Sequence, residues 1–195
     1  MSRLARVMAG LVVLSVALIS PVSADTIGGP TDLDYARGSD TAGNYVELGR
    51  DNLAGTVSML LSTTTHQDIE CVDGSTGALD IHFYGSGTPT AYTFGRRQSD
   101  ASASGYVSGT VETSNTCEGI HSIVAATHQV EISMVGSRTH TTTRTRRKSV
   151  NPDGTTTTIM YTATVVVASG QLVIDSATTS ADGAIGNVVV TERTH

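Results

Sequence analysis

The chain has no tryptophan, two phenylalanines and six tyrosines in 195 residues. Sugar-binding modules usually stack sugar rings on aromatic faces, and single-stranded nucleic acid is held on aromatic platforms, so this scarcity argues against both activities. The sequence also lacks the G-x-S-x-G elbow of serine hydrolases, the H-E-x-x-H pair of zinc proteases and the glycine-rich phosphate loop. Basic residues are in the minority, 12 against 18 acidic, for a net charge of −6. An acidic surface repels bulk nucleic acid and argues against sequence-specific binding to it. Beyond the N-terminus no apolar run approaches the roughly 20 residues that a membrane-spanning helix needs.

The N-terminus itself is apolar. Arg3 and Arg6 precede a run from Val7 to Ile19 and then "SPVSA", ending at Ala24. This is the pattern of a secretory signal peptide, residues 1–24, cut before Asp25. The run is too short to span a bilayer, and no cysteine near the cut supports a lipid anchor. Its removal takes away two arginines and no acid, leaving 10 basic against 18 acidic side chains and a net of −8. The expected location is secreted, extracellular or periplasmic. Cysteine usage agrees with an oxidising compartment: the two cysteines, Cys71 and Cys117, pair most simply with each other.

Threonine, valine and glycine abound, and the turn signals "DGSTG", "GSGTP", "NPDG" and "SADG" separate alternating segments. No segment after the signal peptide sustains the three-and-four spacing of a helix. The expected fold is all-β, an antiparallel β-sandwich with a β-barrel as the alternative. Residues 25–44, rich in glycine, read as an irregular lead-in, and 45–195 as a single all-β domain, which a chain of this length can build around one core. Strands are expected near 45–50, 54–65, 67–72, 78–85, 90–97, 104–113, 122–135, 137–150, 155–169, 171–179 and 185–193.

Two patches carry the candidate chemistry. In "HQDIECVDGSTGALDIHFY", Ile69 and Cys71 alternate with Asp68 and Glu70, while Leu79, Ile81 and Phe83 alternate with Asp80, His82 and Tyr84. Matching the apolar faces across a "VDGSTGA" loop sets Glu70 opposite Asp80, Asp68 opposite His82 and His66 opposite Tyr84. His66, Asp68, Glu70, Asp80 and His82 then share one face. Such a set could bind zinc through its histidines or hold calcium loosely through its carboxylates, making the chain a metal-binding protein or a metal-dependent hydrolase, and a divalent metal is the only cofactor the sequence suggests. The plainer reading is the solvated face of a sheet.

The second patch is "SRTHTTTRTRRKSVNPDGTTTTIMYTATVVVAS". Its "PDG" fits a three-residue hairpin loop, with Pro152 presetting a type I turn and Gly154 supplying the left-handed residue, which pairs Val150 with Thr156. Arg138, His140, Arg144, Arg146 and Lys148 then share a face with Thr158, Met160 and Thr162, opposite an apolar face of Ile159, Tyr161, Ala163, Val165 and Val167. A four-residue loop would instead set the arginines beside the apolar residues, at the cost of burying unpaired charge. Five basic residues fall between Arg138 and Lys148, and no acid lies between Glu131 and Asp153. A cationic ribbon on an acidic body suits a non-enzymatic binding protein that contacts an anionic surface polymer or protein partner. The same charges would also serve simply to protect an edge strand from aggregation. His128, among apolar residues of its strand, reads as a hydrogen-bonded core histidine.

Overall fold

The computed structural model describes residues 30–194. The expected signal peptide lies outside them. The described chain is almost entirely antiparallel strand: β1 (Thr31–Ser39), β2 (Tyr45–Asp51), β3 (Thr56–Glu70), β4 (Thr76–Gly87), β5 (Pro89–Phe94), β6 (Asp100–Asn115), β7 (Ile120–Val150), β8 (Thr156–Ile174) and β9 (Ala177–Thr194). They form one nine-stranded sheet in the order β4-β3-β2-β1-β9-β8-β7-β6-β5. Since β4 also pairs with β6, the ladders run in a circuit. β4 and β5 act there as one bent strand, pairing in turn with 108–115 and 101–105 of β6. The first and last strands of the described residues meet in the β1–β9 ladder, from Thr31 opposite Val190 to Ser39 opposite Asp182.

Residues 31–39, expected to be irregular, are therefore a strand; their outer neighbours β2 and β9 supply hydrogen bonds that outweigh the weak local propensity of "YARGS". Breaks expected near His66 and Gly170 are absent, and β3 and β8 run through them; near Gly136 β7 is continuous, but its pairing with β8 is interrupted between Gly136 and His140. Gly170 is a site of close approach, not a turn, since a Cβ there would collide with the backbone oxygen of Ser133. Likewise "SADG" lies within β9, where a Cβ on Gly183 would strike the oxygen of Arg37. The real β8–β9 turn is Asp175–Ser176, two residues at φ 47° and 73° joining Ile174 to its partner Ala177. Paired positive φ values are those of a type I′ hairpin, here without the usual Asn-Gly signal.

One side of the sheet carries the core. Ala36, Val46, Leu48, Met59, Leu61, Phe83, Val107, Val130, Ile132, Met134, Leu172 and Ile185 belong to a single buried cluster fed by every strand of the circuit. Ser108, Thr110, Glu112, Thr127, Glu131 and Ser133 on the other side are exposed. No helix among the described residues is long and apolar enough to cross a membrane. Cys71 and Cys117 are disulfide-bonded, with Cα atoms 5.2 Å apart, and tie the β3–β4 turn to the β6–β7 turn across the β4–β6 ladder.

The face assignment expected for β8 holds in part. Tyr161, with Ile159 and Ala163, packs with Val188, Val190, Leu33 and Tyr35 in a second, smaller cluster. Five residues beyond Tyr161 the buried side has changed: Val166 is fully buried and Ala168 and Leu172 belong to the main cluster, while Val167 is 72% exposed. The strand keeps its phase throughout, but the side that is covered switches along its length.

Candidate functional site

The first patch is held by the turn at 71–75. Cys71 and Ser75 are bridged by the Cys71 N–H on the Ser75 oxygen, Gly74 stands at φ +81° and donates to the Cys71 oxygen, and Asp73 Oδ1 accepts from the Ser75 N–H and hydroxyl. This loop, Val72–Gly74, is shorter than the seven-residue one expected, and it moves the register by four residues. Glu70 faces Thr76, Asp68 faces Ala78, His66 faces Asp80 and Thr64 faces His82. Because the slip is even, the side of the sheet is unchanged. His66, Asp68, Glu70, Asp80 and His82 do share the outer face, and Ile69 and Ile81 are half-buried on the inner one.

His66 Nδ1 and Asp80 Oδ1 are hydrogen-bonded at 2.6 Å, and His66 Nε2 lies 3.5 Å from Asp68 Oδ1. The hydrogen bond to Asp80, aided by that carboxylate's charge, raises the His66 pKa above its ordinary value. His82 Nδ1 is 3.2 Å from the Thr64 hydroxyl. The β4–β6 ladder brings up two residues that local reasoning missed: Glu112 directly opposite His82, and His121 hydrogen-bonded to Glu112 at 2.7 Å. They stand thirty and more residues away in sequence, and no local alternation points to them.

His66 thus lies between Asp80 and Asp68, His82 against Thr64 and His121 against Glu112. Among the described residues no group of three or more His, Cys, Asp or Glu side chains is arranged to hold a metal ion. Glu70, opposite Thr76, makes no contact with the other four. The Thr64–His82 contact resembles a nucleophile beside a base, but it lies on an exposed strand face with no cleft to enclose a substrate. An open groove of about 330 Å³ lies elsewhere, across the outer faces of β5 to β8, lined by Thr93, Ser102, Glu131, Ser133 and Gln171 among others. Its one carboxylate has no second acid or histidine beside it. His128, expected to be a hydrogen-bonded core histidine, is half-buried on the core side; it is hydrogen-bonded to Asp175 and packs edge-on against Phe83 with ring centroids 4.4 Å apart.

The second patch follows its expected register. Val150 faces Thr156, the Asn151 N–H donates to the Thr155 oxygen, and Gly154 sits at φ +85° donating to Asn151. Asp153 Oδ1 accepts from the N–H and hydroxyl of Thr155, which lowers its pKa. His140 faces Val166, Arg144 faces Thr162, Arg146 faces Met160 and Lys148 faces Thr158. Arg193, beyond Thr158 on β9, adds a cation to this face that was not anticipated. Arg138 lies in the irregularity between Gly136 and His140, where the ladder is interrupted, so strand alternation does not assign it a side.

All five expected residues are exposed. They do not, however, lie opposite the core face. His140 shares its side with Val166, which is fully buried, so the cationic row continues the core side of β8. It escapes burial because β6 begins at Asp100, opposite Val135, and β7 runs on past it. Residues 140–150, with the facing parts of β8 and β9, form an arm beyond the end of the circuit.

At the base of this arm the acidic residues are occupied. Asp34 accepts from Arg50 Nε at 3.1 Å, again from the Arg50 guanidinium, and from Asn52 and Asn187 at 3.0 Å each. Burial pushes its carboxyl pKa up, and the hydrogen bonds from Asn52, Arg50 and Asn187 outweigh that and hold it below the usual value. Asp32 accepts from Asn52 and Asn187. Arg138, Arg144, Arg146 and Lys148 form no ion pair among the described residues. No protein-family model, curated protein or solved structure matches this chain, so its function is argued from these residues alone.

Proposed function

We propose that this is an exported, non-enzymatic binding protein that engages an anionic partner through the β7–β8 arm. One observation carries the reading. Arg144, Arg146 and Lys148 stand exposed on a projecting hairpin and form no ion pair with a carboxylate of the described chain, while Asp32 and Asp34 at its base are already hydrogen-bonded. Unpaired cations gathered on one surface of an acidic molecule concentrate anionic ligands there and orient the rest of the body away from them. The disulfide supports an oxidising location, extracellular or periplasmic.

Heparin affinity chromatography at low salt tests it. The protein is expected to be retained despite its net negative charge, and to elute as salt rises, because released counterions drive such binding. Replacing Arg144, Arg146 and Lys148 with serine should send it into the wash, with circular dichroism unchanged since all three are exposed. Equal elution of the two proteins would overturn the proposal.

A further inference from the structure

From His140 to Val150, β7 has β8 on one side and no strand on the other among the described residues. Such an edge presents alternate backbone N–H and C=O groups outward, and an extended peptide can add to it as a further strand. Proteins commonly blunt exposed edges with short length, proline, a bulge or charged side chains, and of these devices this edge carries the last. This edge runs eleven residues without proline, and its irregularity stands at the base, before His140.

The side chains along it select the occupant. His140, Arg144, Arg146 and Lys148 project to one face, and Thr141, Thr143 and Thr145 to the other. Two copies of this strand paired edge to edge about Arg144 would set Arg144 against Arg144 and His140 against Lys148. Like charges directly opposite destabilise a ladder, so the row discourages self-association. An incoming strand with Asp or Glu at every second position meets Arg144, Arg146 and Lys148 with opposite charge.

We infer that the 140–150 edge captures an acidic, extended polypeptide segment by strand addition. The inference rests on the cationic-arm reading and adds to it both the occupant and the mode of binding. The backbone supplies the pairing, and Arg144, Arg146 and Lys148 supply the selectivity for alternating acids.

The test uses the whole protein and three probes: a nine-residue peptide alternating Asp and Thr, the same peptide N-methylated at alternate residues, and a heparin oligosaccharide. Binding of the first peptide should slow amide hydrogen exchange between residues 140 and 150 by at least tenfold, because edge addition sandwiches β7 between two strands. The N-methylated peptide keeps its charge but loses the ladder, and should bind at least tenfold more weakly. Arg144→Glu with Arg146→Glu should abolish capture of the acidic peptide and admit an alternating Lys-Thr peptide instead. Equal binding of the acidic peptide and its N-methylated form, or heparin retention without any peptide binding, would overturn strand addition while leaving the cationic arm intact. Failure of both heparin and peptide to bind would remove the two readings together.

Discussion

Asp34 illustrates how much one side chain near the end of the circuit carries. It lies on the core side of β1, only 15% exposed, and gathers donors from Arg50 on β2, Asn52 after it and Asn187 on β9. Asp34→Asn should cost about 1–2 kcal/mol at pH 7, since it leaves the partly exposed Arg50 without its carboxylate. The folded pKa is lowered, so the stabilisation is complete above the unfolded value near 3.9 and is lost as pH falls through the folded one. Urea unfolding should therefore separate the two proteins at pH 7 and bring them together in acid, once pH falls below the lowered folded value. None of this constellation was legible locally: "TDLDYARGS" alternates acid with apolar residues, but its partners arrive from strands up to 155 residues away.

Among elements, the two hairpins built on Asp-Gly are the instructive pair. "NPDGT" and "CVDGS" fold alike, with glycine left-handed at φ +85° and +81° and the aspartate bonded to the next Ser or Thr. Proline made the first readable as a three-residue loop; without it, the second was given a longer loop and a register four residues out. Gly154→Ala forces a Cβ into the left-handed region and should destabilise the β7–β8 arm by about 1 kcal/mol. Hydrogen exchange should show this as faster opening of residues 145–160, with amides of Val130 and Ile132 in the core little changed. The face assignment of the 71–75 hairpin survived because its register error, four residues, was even, and side chains repeat every two residues.

At the scale of the molecule, stability depends on joining the first and last described strands. Ile185, fully buried, faces Ala36 on one side and Val166 on the other, where β1, β9 and β8 meet. Ile185→Ala should cost about 2–5 kcal/mol, the range for emptying a packed core position, and a urea titration measures it directly. The Cys71–Cys117 bond closes 46 residues and clamps two turns at one end of the β4–β6 ladder. Replacing both cysteines with serine should lower stability by about 2–4 kcal/mol in the chain-entropy account, read as a lower melting temperature. Unchanged melting would mean that the ladder alone holds that end.

The sequence by itself determined the all-β class, the pairing of its two cysteines, the register of the β7–β8 hairpin and which side chains share a side on each strand. These follow from composition, turn chemistry and the two-residue period, all local properties. Only the tertiary structure decided which side is covered. The same face of β8 is core at Val166 and open at Met160, and the same cationic row that alternation places beside Val166 stands in solvent, because β6 ends its pairing at Val135. Alternation distinguishes two sides of a strand, but burial depends on how far the neighbouring strands extend, and that is settled by pairings between segments distant in the chain.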